Sequence, residues 1–263
     1  MHLSHHPLRF ATPAQLGEAL QQARTTSLSL FDGFFGSHGE ALVQKASADG
    51  FNPPLWQLGH IAWFWEWFVL RDAQSTDANS AARASLLSKG DDWFDGNISP
   101  RSRWTLDLPS KGALKTYCHE VLDRCLDKLS RTPNHDAALY PFRLALAHED
   151  LAAEQFLCSL QAHGLAAPAR YSAPGAYSWA QGEIHFPGGT IRLGSGEGGF
   201  VFDNEQPPNE QRVAAFKMDS TLISNQQFAE FVEDGGYQRR QFWSEQCLRW
   251  LMQQERSAPR YWH

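Results

Sequence analysis

The residues in this chain with chemistry to offer are histidines. His148 opens the segment His148-Glu149-Asp150-Leu151-Ala152. On a helix, residues four apart share one face a turn apart, so His-x-x-x-His presents two imidazoles to one ion. Here the i+4 position is Ala152, whose methyl group coordinates nothing. His60 lies among bulky apolar residues of an earlier segment, and the two imidazoles converge if the two segments face each other across a helical core. A catalytic non-haem metal normally has three protein ligands and keeps positions open, so two histidines are an incomplete set. Gln155 shares the face of His148 but lies two turns away, while Glu149 and Glu154 point off that face. His38 and His119 remain as candidates, both read as surface residues. Taken alone, a histidine in such a setting is more often a hydrogen-bonded core residue than a ligand. Arg101 and Arg103 have the planar fork that binds a substrate carboxylate, although solvated loop arginines look the same in sequence.

Four long helical segments must position these groups. The first runs from Pro13, behind Thr12 as N-cap, through Leu16, Leu20 and Leu28 towards Gly33. The second follows Asn52 and Pro53-Pro54 and ends near Asp72. The third starts at Ser110, carries Leu114, Tyr117, Val121, Leu122, Cys125 and Leu129 close to a 3.6 period, and stops before Pro133. The fourth is expected from Tyr140-Pro141 to Gly164 as a C′ glycine. Four such segments with inward apolar stripes predict a bundle. The link from about Ala73 to Pro109 is too long for a hairpin, and its aromatic residues favour an ordered loop. After about Ala166 prolines and eight glycines between Gly175 and Gly199 break any helical period. A β-rich, irregular region is expected there, with strands at 184–186, 190–193 and 213–218 and a helix at 225–234 closed by Gly235-Gly236. Its glycines at 188, 189 and 194 lack the strand-then-helix setting of a phosphate loop and suit turns. The close on Pro259-Arg260-Tyr261-Trp262-His263, without a recognisable closing element, reads as a domain cut short.

The 263 residues are enough for a sizeable core and more than one unit. A 42% hydrophobic and 20% charged composition is globular, and a net charge of -6 with no basic stripe argues against nucleic acid or an anionic membrane as partner. Four cysteines without C-x-x-C spacing read as thiols in a reducing compartment. The N-terminus has no secretion-signal run, and the apolar stretch from Leu55 to Leu70 is too short for a bilayer and carries His60 and Glu66. A cytoplasmic protein is the expectation.

The segment from Pro53 to Trp63, with Trp56-Gln57-Leu58-Gly59-His60, together with His148-Glu149-Asp150 and Glu154, resembles the DinB-like helical domain of ergothioneine-type sulfoxide synthases. Pro187-Gly188-Gly189, Phe202-Asp203-Asn204-Glu205-Gln206-Pro207, Ser224 to Phe228 and Phe231 to Tyr237 resemble the first half of the formylglycine-generating-enzyme (sulfatase-modifying factor) fold. The phrasing around Trp56 and His148 is most similar to the selenoneine-synthase branch. The resemblance covers nearly the whole chain. It implies an α+β protein: a DinB-like four-helix bundle over 1–166, then an incomplete formylglycine-generating-enzyme-like (C-type-lectin-like) domain over 167–263. It also implies a mononuclear Fe(II) site, with His60 and His148 matching two metal ligands and the third ligand falling on Ala152. The small-molecule substrates implied are hercynine, a thiol or selenosugar donor and O2, with Arg101 or Arg103 in the loop that helps hold the donor. The reaction joins sulfur or selenium to the imidazole of hercynine. Two other readings stand beside this one: a non-catalytic binding remnant of the family, and a DinB-like metal-dependent thiol S-transferase, against which the second domain argues.

Overall fold

The computed structural model describes residues 7–35, 50–73, 77, 80–166, 168–171 and 182–262. Two compact units form, one from Met1–Pro174 with Gly194–Pro208 and the other from Gly175–Leu193 with Asn209–His263.

The first unit is a helical bundle. Helix α1 (Pro13–Asp32) begins with a reciprocal cap, in which Thr12 Oγ1 accepts from Gln15 N–H and the Gln15 side chain accepts from Thr12 N–H. Helix α2 (Pro54–Trp65) continues into a π-helical turn, Glu66–Leu70. Its N-cap is Pro53, while Asn52, which precedes it and has a capping side chain, is drawn to Gln57 and Arg103. The loop beyond is ordered where described and contains a short helix, α3 (Gly90–Phe94). Helix α4 (Lys111–Ser130) begins where expected, with Ser110 as its N-cap. Helix α5 (Asp136–Ala162) starts earlier than Tyr140-Pro141, because His135 Nδ1 accepts from Ala138 N–H and caps the first turn. Pro141 sits inside its second turn at the cost of one helical hydrogen bond.

Helix α1 packs on α4 and α5, and α2 packs on the same two helices. Leu16, Leu20, Leu30, Trp56, Leu58, Ile61, Trp65, Val121, Cys125, Phe142, Phe156 and Leu160 fill the space between them. Deep in this core, Arg24 on α1 faces Glu149 on α5 at 3.2 Å, both side chains buried, with the Arg24 guanidinium 4.5 Å from the Trp65 ring. No sequence pattern announces this pair.

In the second unit, strand β1 (Glu183–Phe186) pairs antiparallel with β4 (Phe216–Asp219), and β2 (Gly189–Leu193) pairs with β3 (Asn209–Val213). The strand expected at 213–218 is thus two strands parted at Ala214-Ala215, and β3 is an addition, since Asn209-Glu210-Gln211-Arg212 offers no apolar alternation. Helix α6 (Asn225–Glu233) has the expected place, with a Ser224–Gln227 capping box and Gly235 at φ +77° beyond its end. Helix α7 (Glu245–Gln254), behind a Ser244 cap, is a further addition to the sequence reading. The helical first unit and the strand-bearing second make the chain α+β, as expected.

Candidate metal centre

One face of α2 presents Trp56, His60 and Trp63, spaced i, i+4, i+7, and each is tied to the short α3 segment. Trp56 Nε1 donates to the Trp93 carbonyl at 2.7 Å, a ring nitrogen of His60, Nδ1, lies 2.8 Å from the Phe94 carbonyl, and Trp63 Nε1 donates to Asp91 at 2.7 Å. Arg71 grips the same Asp91 carboxylate through both terminal nitrogens, at 2.6 and 2.9 Å. Glycine at 59 makes this approach feasible: a Cβ there would stand 2.2 Å from Phe94 Cε1. A second staple comes from the π turn, which turns Glu66 inward, where it accepts from Tyr117 Oη, Ser85 Oγ and Leu86 N–H. Burial raises the Glu66 pKa, against the lowering pull of its donors.

The Phe94 carbonyl can only accept, so His60 carries its proton on Nδ1, which leaves the Nε2 lone pair available. The His60 ring stacks on Trp56 at 4.6 Å, and its centroid lies 5.0 Å from that of His148. His148 in turn lies flat on Phe64, 3.7 Å away and within 3° of parallel. Its Nδ1 is buried without a hydrogen-bond partner among the described residues. Burial, costing the charged form, lowers the pKa of His60 to about 4 and that of His148 to about 3, so both are neutral donors at pH 7.

The fold therefore brings His60 and His148 together. It does not complete a ligand set. Ala152 is 2% exposed, its methyl packed in the core one turn beyond His148. Gln155 and His119 are exposed, His38 lies outside the described residues, and Glu149 is committed to Arg24. Among the described residues no group of three histidine, cysteine or carboxylate side chains is placed to hold an ion. Two neutral imidazoles, one with an orphaned nitrogen, are a partial donor set, and a three-ligand Fe(II) site does not fit these residues.

The two loop arginines differ. Arg103 is engaged on every side: Nε donates to the Ile98 carbonyl, Nη1 to Asn52, Nη2 to the Gly96 carbonyl, and the guanidinium lies 3.9 Å from the Trp56 ring. It clamps the loop against α2, a role that takes three of its five N–H donors. Arg101 is exposed at the start of the Ser102–Trp104 turn.

Comparison with known proteins agrees with this architecture. The family model of the DinB superfamily matches residues 19–180, and that of the sulfatase-modifying factor enzyme 1-like domain matches residues 172–261. Hercynine oxygenase of Mycolicibacterium thermoresistibile is 28% identical over 262 residues, covering 95% of this chain and 55% of that protein. Hercynine oxygenase of Mycolicibacterium smegmatis is 28% identical over 258 residues, covering 93% and 56%. The formylglycine-generating enzyme of Thermomonospora curvata is 41% identical over 59 residues, covering 22% of this chain and 20% of that enzyme. The chain spans just over half the length of the hercynine oxygenases it matches. No helix among the described residues is long and apolar enough to cross a membrane. With the DinB model matched over more than half of the chain and a sulfatase-modifying-factor-like region behind it, the chain belongs to the DinB superfamily and is similar to the hercynine oxygenases over most of its length.

Proposed function

We propose that this chain belongs to the chemistry of joining sulfur or selenium to the imidazole of hercynine, and that its own bundle no longer sustains the iron- and O2-dependent turnover. The observation that carries this reading is the pair of imidazoles 5.0 Å apart with a buried methyl group at the third ligand position. On this reading the bundle of residues 1–166 keeps the scaffold of the site, and residues 167–263 form the start of the second domain. Hercynine, a thiol or selenosugar donor and O2 are the substrates of the family reaction, in a cytoplasmic setting. His60 and His148 hold the two surviving ligand positions, Trp56 and Phe64 stack against their rings, and the Phe94 carbonyl fixes the His60 tautomer. Arg101, exposed in the loop, is the arginine open to a donor carboxylate or phosphate, while Arg103 holds the loop in place.

The test has two parts. Elemental analysis of protein expressed in iron-replete medium reads occupancy, with well under one iron per chain expected. Mass spectrometry of reactions with hercynine, O2 and cysteine, γ-glutamylcysteine or a selenosugar reads turnover, with no sulfoxide or selenoxide expected. Near-stoichiometric iron, or product above the no-enzyme control, overturns the proposal.

A further inference from the structure

A second face of helix α5 lines a cavity. Ala147, Asp150, Leu151 and Glu154, spaced i, i+3, i+4, i+7, share one side of it, while His148 and Ala152 lie about 100° further round. These four residues line a cavity of about 700 Å³, within the size range of small-molecule sites. Leu8 and Arg9 close one wall, and Gly194 to Glu205, which folds into the same unit as the bundle, closes another. The lining is apolar at Leu8, Leu146, Leu151, Phe200, Val201 and Phe202. The segment is held in place: Gly199, at φ +71° where a Cβ would stand 2.8 Å from the Arg9 carbonyl, donates its N–H to Asp136 at 2.8 Å.

The charges in the lining are unevenly free. Arg143 is 4% exposed, and its terminal nitrogens donate to Asp136 at 2.7 Å and to the Ala11 carbonyl at 3.1 Å. Arg9 donates to the Gly196 and Gly198 carbonyls, both at 3.0 Å. Both guanidiniums are thus bound into the frame, and the charge of Arg143 is met by Asp136. Three carboxylates, Asp150, Glu154 and Glu205, face the same space. Glu205 accepts one backbone N–H from Phe202, and Glu154 is exposed with no hydrogen bond or ion pair among the described residues. The cavity is apolar in its walls and carries three carboxylates against two guanidiniums, of which Arg143 is met by Asp136 and Arg9 is held by backbone carbonyls, so the charge left over in the lining is negative.

We propose that this cavity is a binding site for a small organic cation with an apolar body, separate from the imidazole pair. The body would lie against Leu151, Val201 and Phe202, with the cationic end at Glu154. A charged end met by a carboxylate at the mouth of an apolar cavity is held more strongly than the same pair in water.

The test uses the full chain and three matched probes, benzylamine, benzyl alcohol and benzoate, with affinities from ligand-observed NMR titration. Benzylamine is expected to bind, benzyl alcohol more weakly and benzoate most weakly of the three, and a preference for benzoate over benzylamine also overturns the proposal. Glu154→Gln is expected to weaken benzylamine binding about fivefold, as for a half-exposed ion pair, and to leave benzyl alcohol unchanged. Glu154 is exposed, so the variant folds, and Glu18→Gln on the exposed face of α1 serves as the control with no expected effect. Equal affinity for benzylamine and benzyl alcohol, no benzylamine binding, or an affinity untouched by Glu154→Gln overturns the proposal.

Discussion

Gly59→Ala should destabilise the bundle, even though alanine is the better helix former. In isolation the exchange stabilises a helix by about 1 kcal/mol. At this position, however, the new Cβ would lie 2.2, 2.3 and 2.7 Å from three atoms of the Phe94 ring, which is fully buried. Overpacking of this kind costs about 1–3 kcal/mol. If the ring is instead driven out, the loss approaches the roughly 3–5 kcal/mol of a Phe→Ala truncation. The net expected change is a loss of about 1–2 kcal/mol, and the sign should reverse when the ring is absent. In a Phe94→Ala background, Gly59→Ala should stabilise by about 1 kcal/mol, giving a coupling of about 2–3 kcal/mol between the two positions. Urea unfolding followed by tryptophan fluorescence suits the measurement, since Trp56, Trp63, Trp65 and Trp67 are all buried in the bundle. Stabilisation by Gly59→Ala in the unaltered background would refute the argument that position 59 is reserved for the approach of Phe94, and with it the account of how His60 gains its carbonyl partner.

Ala152→His should raise Fe(II) or Co(II) affinity, read by metal titration, without creating turnover. It should also cost about 1–3 kcal/mol, because an imidazole replaces a buried methyl group. Unchanged affinity would show that position 152 does not face the imidazole pair. Glu149→Gln should cost about 3–5 kcal/mol in urea unfolding, because it leaves the Arg24 charge buried and unmatched, whereas Arg24→Met with Glu149→Met should recover most of that loss. For pH, His60 and His148 have folded pKa values depressed to about 4 and about 3, below the ordinary 6.5. The unfolded chain therefore takes up more protons as pH falls. Stability is fully present above about pH 6.5 and is lost progressively through pH 4, and His60→Gln with His148→Gln should flatten that slope.

The sequence is most legible where a side chain acts on its own backbone. Thr12 caps the helix as expected, and Ser110 and Ser224 cap helices expected to start at 110 and 225, since a hydroxyl followed three residues later by a free N–H is a local signal. The convergence of His60 and His148 is also readable, because both lie on segments long enough to be assigned to one bundle. The features that escape a reading of the sequence depend on distant partners. Asn52 has the chemistry of a cap but is taken up by Arg103, 51 positions away. Arg103 has the chemistry of a ligand-binding residue but is spent on loop carbonyls. Arg24 lies in the middle of a helix, and nothing in its neighbourhood marks it as buried against Glu149. The start of α5 at Asp136 is obscured because a histidine cap is a weak signal beside a Tyr-Pro pair. Strand β3 is hidden because its residues are polar on both faces.

The segment Gly194–Pro208 leaves the second unit after β2, joins the first, and returns before β3. A unit assembled from two separate stretches of chain cannot be exchanged as a single cassette. Recombination at any one point between the bundle and the second unit would carry away the carbonyls that receive Arg9 and the N–H that meets Asp136. Modular shuffling is thus closed to this bundle unless its detached fifteen residues travel with it.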